Sequence, residues 1–402
     1  MRPVLINNWE ATYFNFNEDK LLTIAESAKQ AGIELFVLDD GWFGERENDK
    51  TSLGDWFGNK RKLPSGIGLF SKKIEKLDLS FGLWFEPEMI SKESKLYKEH
   101  PDWCLHLPQR LRGEGRNQLV LDLCRKEIRD YIFKLISDIL SNASISYIKW
   151  DMNRTLSHAG SIAYPDEPQG NIMYRYMLGV YELMFRLTSH FPDILFEGCA
   201  AGGGRMDPGI LHYMPQFWIS DNTDALSRLK IQYTTSLVYP PIMMGAHVSD
   251  VPNHETGRYT DMEFRGLVAS SGSLGYELDL NSISVIDIKN IRDQIVFYKK
   301  HRKIIQFGNF IRLLSPFENN TTAWMFITQD KKEALLFHFA LLNEANLPPS
   351  LLKLIGLDED SFYVEQRTGL NFSGKELIHR GFLITNKKQD FKAQYFHFKK
   401  KN

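Results

Sequence analysis

Within Tyr147-Ile148-Lys149-Trp150-Asp151-Met152-Asn153-Arg154 a short apolar run meets a lysine, a carboxylate, an amide and an arginine. If the run is a strand, Lys149, Asp151 and Asn153 point to one face and Trp150 and Met152 to the other. The polar face is densest where the run ends. In a parallel barrel, that end carries the reacting groups. A salt-bridged strand end would look the same in this segment alone, but the pattern recurs. Other apolar runs end on Trp9, on Asp39 and Asp40, on Trp84 and Glu86, on Cys199, and on Trp218 with Asp221. Acids paired across a mouth lined with tryptophan suit glycosidic-bond cleavage, which needs one carboxylate near the anomeric carbon and one protonated carboxyl beside the leaving oxygen.

Asp151 is the candidate nucleophile, because Lys149 and Arg154 supply positive charge that would hold its carboxyl down. Asp221 is the candidate acid, because Trp218 and Phe217 supply apolar surroundings that tend to raise a carboxyl. Each has a plainer alternative. Ser220-Asp221-Asn222-Thr223-Asp224 is also a run of helix N-caps. Asp39-Asp40 also suits a strand-end turn, Glu86 before Pro87 is ambiguous, and Cys199 also suits a small buried apolar position. The histidines form no HExxH or HxH arrangement, so a metal hydrolase is poorly supported and no cofactor is expected.

The positioning elements follow an alternating rhythm. Strand-like runs at 4–9, 34–42, 81–88, 147–154, 194–199, 216–222, 242–250 and 273–278 alternate with helical patterns at 18–32, 67–79, 125–140, 174–190, 225–238, 257–270 and onward to 304. Strands alternating with helices over this length predict a (β/α)8 TIM barrel in the α/β class. The glycine-rich stretch after Cys199 lacks the GxGxxG order of a doubly wound sheet. Residues 88–123 form a long excursion expected to fold over the mouth. From 307 the runs shorten and are broken by Pro, Asn, Asp and Gly, which predicts a small C-terminal antiparallel β domain. The expected domains are therefore a catalytic barrel at 1–306 and the β domain at 307–402.

A net charge of −1 gives no electrostatic reason to bind nucleic acid or an anionic membrane surface. No run of 18 apolar residues occurs. Three cysteines with no CxxC spacing suit a reducing compartment, so the expected setting is cytoplasmic.

Six motifs in order and spacing resemble the family 36 glycoside hydrolases, the bacterial α-galactosidases. They are Leu38-Asp-Asp-Gly-Trp42, Trp84-Phe-Glu-Pro-Glu88, Lys149-Trp-Asp-Met-Asn-Arg154, Cys199-Ala-Ala-Gly-Gly-Gly204, Ser220-Asp-Asn-Thr-Asp224 and Gly245-Ala-His-Val-Ser249. The resemblance implies a retaining α-galactosidase acting on melibiose- and raffinose-type oligosaccharides, with Asp151 as nucleophile and Asp221 as acid/base. It implies Asp39, Asp40 and Lys149 on the 3-, 4- and 6-hydroxyls with Trp84 and Arg116 beside them, Cys199 and Gly202 near the 2-hydroxyl, and Trp218 against the apolar face of the ring. Trp9 and Asn153 complete the expected site. Related barrels act on α-glucosides or α-N-acetylgalactosaminides, and an inactive sugar-binding fragment is a further alternative. Family members carry a β-sandwich domain before the barrel and often form tetramers. The chain enters its first strand within four residues, which implies a truncated or split form working as a homo-oligomer or with a separate sandwich domain.

Overall fold

The computed structural model of the chain describes residues 1–107, 110–157, 160–164, 169–346, 350–385 and 389–401. Among them eight parallel strands close into a barrel: Leu5–Asn7, Leu35–Leu38, Ser80–Phe85, Tyr147–Trp150, Leu195–Gly198, Gln216–Trp218, Met244–Ser249 and Ser273–Glu277. Each strand lies beside its neighbour in the chain, and the last closes on the first. The expected TIM barrel is therefore present, followed by an antiparallel sheet. In the barrel register Trp84 lies opposite Lys149, and Lys149 opposite Glu197. Three strand ends are thereby brought side by side.

The helices between strands are placed by their caps. Asn17 accepts the Lys20 N–H to start Glu18–Ala31, and Gly32, at φ 95°, ends it in the left-handed region. The sequence pattern gave no sign of the crossover helix Pro208–Tyr213. At six residues it is too short to show a periodicity, and it is held instead by Asp207 accepting the N–H groups of Gly209 and Ile210. The 88–123 excursion is more ordered than a loop. It pairs Met89–Ile90 with Leu119–Val120 and includes the helix Lys95–Glu99.

The chain forms two compact units. One is Leu5–Asp221 with Glu277–Asn281; the other is Met1–Val4 and Asn222–Tyr276 with Ser282–Asn402. In the second unit the strands Asn309–Leu314, Thr321–Ile327, Glu333–Ala340, Lys392–Lys400, Phe362–Glu365 and Asn371–Ser373 form one sheet in that spatial order. Thr321–Ile327 is apolar on both faces for a physical reason. Ala323, Met325 and Ile327 enter the domain's own core with Leu336, Tyr363 and Phe398. Trp324 faces the other way and donates its indole N–H to Ser271 at 2.9 Å. Phe264 and Phe297, from two barrel helices, meet Phe339 and Tyr395 on the same face. Trp324→Ala is expected to lower stability by about 3–5 kcal/mol through the cavity it leaves, read as a shift in the denaturation midpoint.

Candidate functional site

Asp151 lies one residue beyond the fourth strand and is buried. Its oxygens accept from the Met152 N–H at 2.8 Å, Asn153 Nδ2 at 2.7 Å and the Trp84 indole at 3.2 Å. The Cys199 thiol also donates to it. Burial, and then the Asp151 charge, push that thiol well above its usual range, so it stays a protonated donor. Arg116 donates to Asn153 Oδ1 at 3.1 Å, which connects the excursion to Asp151 through Asn153.

Lys149 points to the same side as expected but pairs with Asp39, at 2.8 Å, rather than with Asp151. Burial alone would lower its ammonium. The charges of Asp39 first, and of Glu277 and Asp151, instead hold it well above the ordinary lysine range. Asp39 also accepts Asn7 Nδ2 at 2.6 Å, and its N–H is taken by Asn8 Oδ1. Arg46 grips Asp40 with two bonds, at 3.0 and 2.8 Å. Burial would lower that guanidinium, but Asp40 keeps it above its normal value. Trp9 joins the group only through its backbone N–H, which donates to Asn7 Oδ1. Its ring packs edge-on against Tyr13 and Phe14.

Asp221 follows the sixth strand. The N-cap of the next helix is Asp224, which accepts the Ser227 N–H at 3.0 Å. Asp221 is thereby freed from the capping role its neighbours suggested. Its residue is exposed to solvent although protein surrounds most of the carboxyl. Burial first, and then the charge of Asp151, raise its carboxyl. Trp218 acts against that rise, since its indole N–H donates to Asp221 at 3.0 Å. The expected apolar influence of Trp218 is thus corrected to a polar one, because the ring's one donor faces the acid. Gly202 lies at φ 79°, and a Cβ there would meet Ser220 Cα at 2.6 Å and Asp221 N at 2.8 Å. Only glycine lets the loop after the fifth strand lie this close to Asp221.

A second correction concerns Arg154. Its guanidinium donates to the carbonyls of Gly113, Gln118 and Thr155 and to Ser157, so it ties down the excursion instead of flanking Asp151. Glu86 and Glu88, separated by Pro87, serve different sides. Glu88 is fully buried and takes Trp150, Tyr176 and both terminal nitrogens of Arg205. Glu86 faces Asp151 and Asn153. Sequence reasoning also left Glu277 out of the site, although it ends the eighth strand as Asp39 follows the second. Its charge bears on both Lys149 and Asp221.

These groups all belong to the unit Leu5–Asp221 with Glu277–Asn281. In the other unit, among the described residues, His301, Glu333 and His397 come within 4.8 Å of one another, close enough to hold an ion. His397 already bonds Glu333 at 2.5 Å, and Lys300 and Lys399 act on His301 with charge that repels a cation.

A closed barrel with carboxyls, lysine and tryptophan gathered after its strands places the chain in the class of (β/α)8 proteins that work from the carboxyl face. The family is more particular. Residues 1–308 match the family described as Melibiase, and residues 321–398 match the glycosyl hydrolase family 36 C-terminal domain. The chain belongs to glycoside hydrolase family 36. It is 55% identical to alpha-galactosidase AgaA of Geobacillus stearothermophilus over 99% of this chain and 54% of that protein. With an alpha-galactosidase of Lactobacillus acidophilus it shares 51% over 99% and 54%. The crystal structure of AgaA superposes with a TM-score of 0.98 at 55% identity, covering 99% of this chain and 55% of that one. A variant of AgaA solved in complex with raffinose superposes equally well, at 0.98 and 54% identity over the same shares of the two chains. The chain spans about half the length of the curated relatives it matches. No helix among the described residues is long and apolar enough to cross a membrane.

Proposed function

We propose that the chain hydrolyses terminal α-D-galactosyl groups of melibiose- and raffinose-type oligosaccharides with retention, through a galactosyl-enzyme intermediate. The observation that carries this reading is the asymmetry of two interacting carboxyls. Asp151 is met by four donors and is the attacking carboxylate. Asp221 is raised by burial and by Asp151, and is the proton donor to the leaving oxygen. After attack the roles turn over: ionised Asp221 takes a proton from water, and that water releases the sugar from Asp151.

Around this pair, Asp39, Asp40 and Lys149 are assigned to the 3-, 4- and 6-hydroxyls. Arg116, held by Asn153, stands beside them, and Trp218 packs on the ring. Trp84, almost wholly buried, steadies Asp151 more than it offers surface. Cys199, hydrogen-bonded to Asp151 and assigned with Gly202 to the 2-hydroxyl, leaves little space there. That favours galactose over its 2-acetamido analogue, and paired rates on aryl α-galactoside, α-glucoside and α-N-acetylgalactosaminide measure the preference. The buried free thiols Cys104, Cys124 and Cys199 suit a cytoplasmic setting. The same reading divides the chain into a barrel at 1–306 and a β domain at 307–402, and includes assembly as a homo-oligomer. The direct test is proton NMR of raffinose cleavage. α-Galactose appearing first supports retention; β-galactose first, or no release of galactose, removes the proposal. Gly202→Ala is expected to displace Asp221 and lower kcat/KM by roughly 10²-fold, the effect of about 1 Å of misplacement, measured on an aryl α-galactoside.

A further inference from the structure

Among the buried carboxyls of the unit around Asp151 are Asp39, Asp40, Glu86 and Asp151, and cations are committed to the first two. Lys149 pairs with Asp39 and Arg46 forks onto Asp40. Asp151 and Glu86 face each other, and among the described residues neither is in an ion pair. Two such groups cannot both be ionised in a buried site, so one keeps a proton. Asp151 accepts four donors. Glu86, fully buried, accepts two: the Asn153 backbone N–H and, at 3.1 Å, the Gln118 side-chain amide. Hydrogen bonds donated to a carboxyl favour its charged form, so the proton belongs to Glu86. Gln118 supplies the second observation. Its buried Oε1 has no hydrogen-bond partner. The two ends of an amide are distinguished by their partners. Turned over, Gln118 presents that oxygen to Glu86, and a protonated carboxyl is the form that can donate to it.

We infer that Glu86 is a positioning residue working as a neutral acid, accepting the Asn153 N–H and donating its own proton to the Gln118 side-chain oxygen. It thereby braces the turn from which Asn153 Nδ2 holds Asp151. It also keeps a second negative charge from forming beside Asp151 at the point of attack. The groups facing it are Asp151 and Asn153 after the fourth strand, Asp40 and Arg46 after the second, and Gln118 from the excursion. Burial, and then the charge of Asp151, push Glu86 up to about 8, so it holds its proton at neutral pH. Above that range a second anion forms beside Asp151 and Glu86 no longer has a proton to donate to Gln118. The role in turnover rests on the galactosidase reading; the proton does not.

Two measurements on the 402-residue chain test this separately. In infrared difference spectra at pH 7, wild type minus Glu86→Gln should show a buried carboxylic-acid C=O band. That same difference band should fade as pH rises from 6 to 9.5. Absence of the band overturns the inference whether or not the chain turns over substrate. For turnover, a 2,4-dinitrophenyl α-galactoside is used, because its leaving group does not need the Asp221 proton. Glutamine copies both the donor and the acceptor of a protonated carboxyl. Glu86→Gln should therefore keep kcat/KM within about threefold at pH 6, where small effects mark isosteric exchange, and lose the alkaline fall seen in wild type. A loss of roughly 10²-fold at pH 6, or an unmoved alkaline fall, overturns the positioning role. The infrared band without any hydrolysis by wild type would sink the galactosidase reading and leave the proton on Glu86 standing.

Discussion

Asp151→Asn is expected to reduce turnover of an aryl α-galactoside by roughly 10⁴-fold or more, since loss of a covalent nucleophile can cost about 10⁶ in kcat. An amide oxygen is too weak a nucleophile to form the galactosyl intermediate. Asn153, Trp84 and Cys199 are all donors aimed at the same atoms. The new NH2 would face donors instead of accepting from them, so part of the loss is local repacking. Circular dichroism and galactose binding must therefore accompany the rate. The substitution has a second consequence. Removing the Asp151 charge removes the second-largest influence that raises Glu86, so Glu86 should ionise at a lower pH in the variant. A group whose folded pKa is raised gives stability that is present at low pH and is lost as pH rises through the folded value. Asp151→Asn should thus be relatively more stable than wild type around pH 7–8, and thermal melts across pH 5–9 measure it. Small and equal rate losses at Asp151 and Asp221 would count against the whole assignment.

The barrel was legible because its strands are short apolar runs that stop abruptly at polar residues, and its helices carry recognisable caps such as Asn17 and stops such as Gly32. The strand ends were legible for the same reason. Asp39, Lys149, Asp151, Cys199, Trp218 and Asp221 follow from alternation and position alone. What alternation cannot show is which neighbour a long side chain will choose. Lys149 and Arg154 both stand two or three residues from Asp151 in sequence, yet one reaches across the barrel to Asp39 and the other binds carbonyls of the excursion. Arg46 and Gln118 come from connecting segments whose path no periodicity specifies, and they account for what sequence reasoning missed around Asp40 and Glu86. Asp221 was the finest case. Five consecutive cap-forming residues made it ambiguous until Asp224 proved to be the cap and left Asp221 ahead of the helix.

Asp221→Asn should separate substrates by their leaving groups. For raffinose or a simple alkyl α-galactoside, where the departing oxygen needs a proton, the loss should be about 10²–10⁴-fold, the usual contribution of general acid catalysis. For a 2,4-dinitrophenyl α-galactoside the first step should be spared, since that leaving group departs as an anion. The slower step then becomes release of the sugar from Asp151, because the base that activates water is gone as well. A rapid burst of dinitrophenol followed by slow steady turnover is the expected trace. The pH dependence follows the same logic. Burial and the charge of Asp151 raise Asp221, so wild type should keep its acid protonated to higher pH than a free aspartate. Its rate on poor leaving groups should fall as pH climbs through that raised value, and this fall should be absent in the asparagine variant. Trp218→Phe gives the opposing check. Removing the indole donor takes away the bond that lowers Asp221, so the alkaline fall on poor leaving groups should move to higher pH, while the pH profile of the dinitrophenyl substrate keeps its position whatever the rate lost to weaker ring packing. If Trp218→Phe leaves the profile of poor substrates where it was, the proton that limits them is not on Asp221.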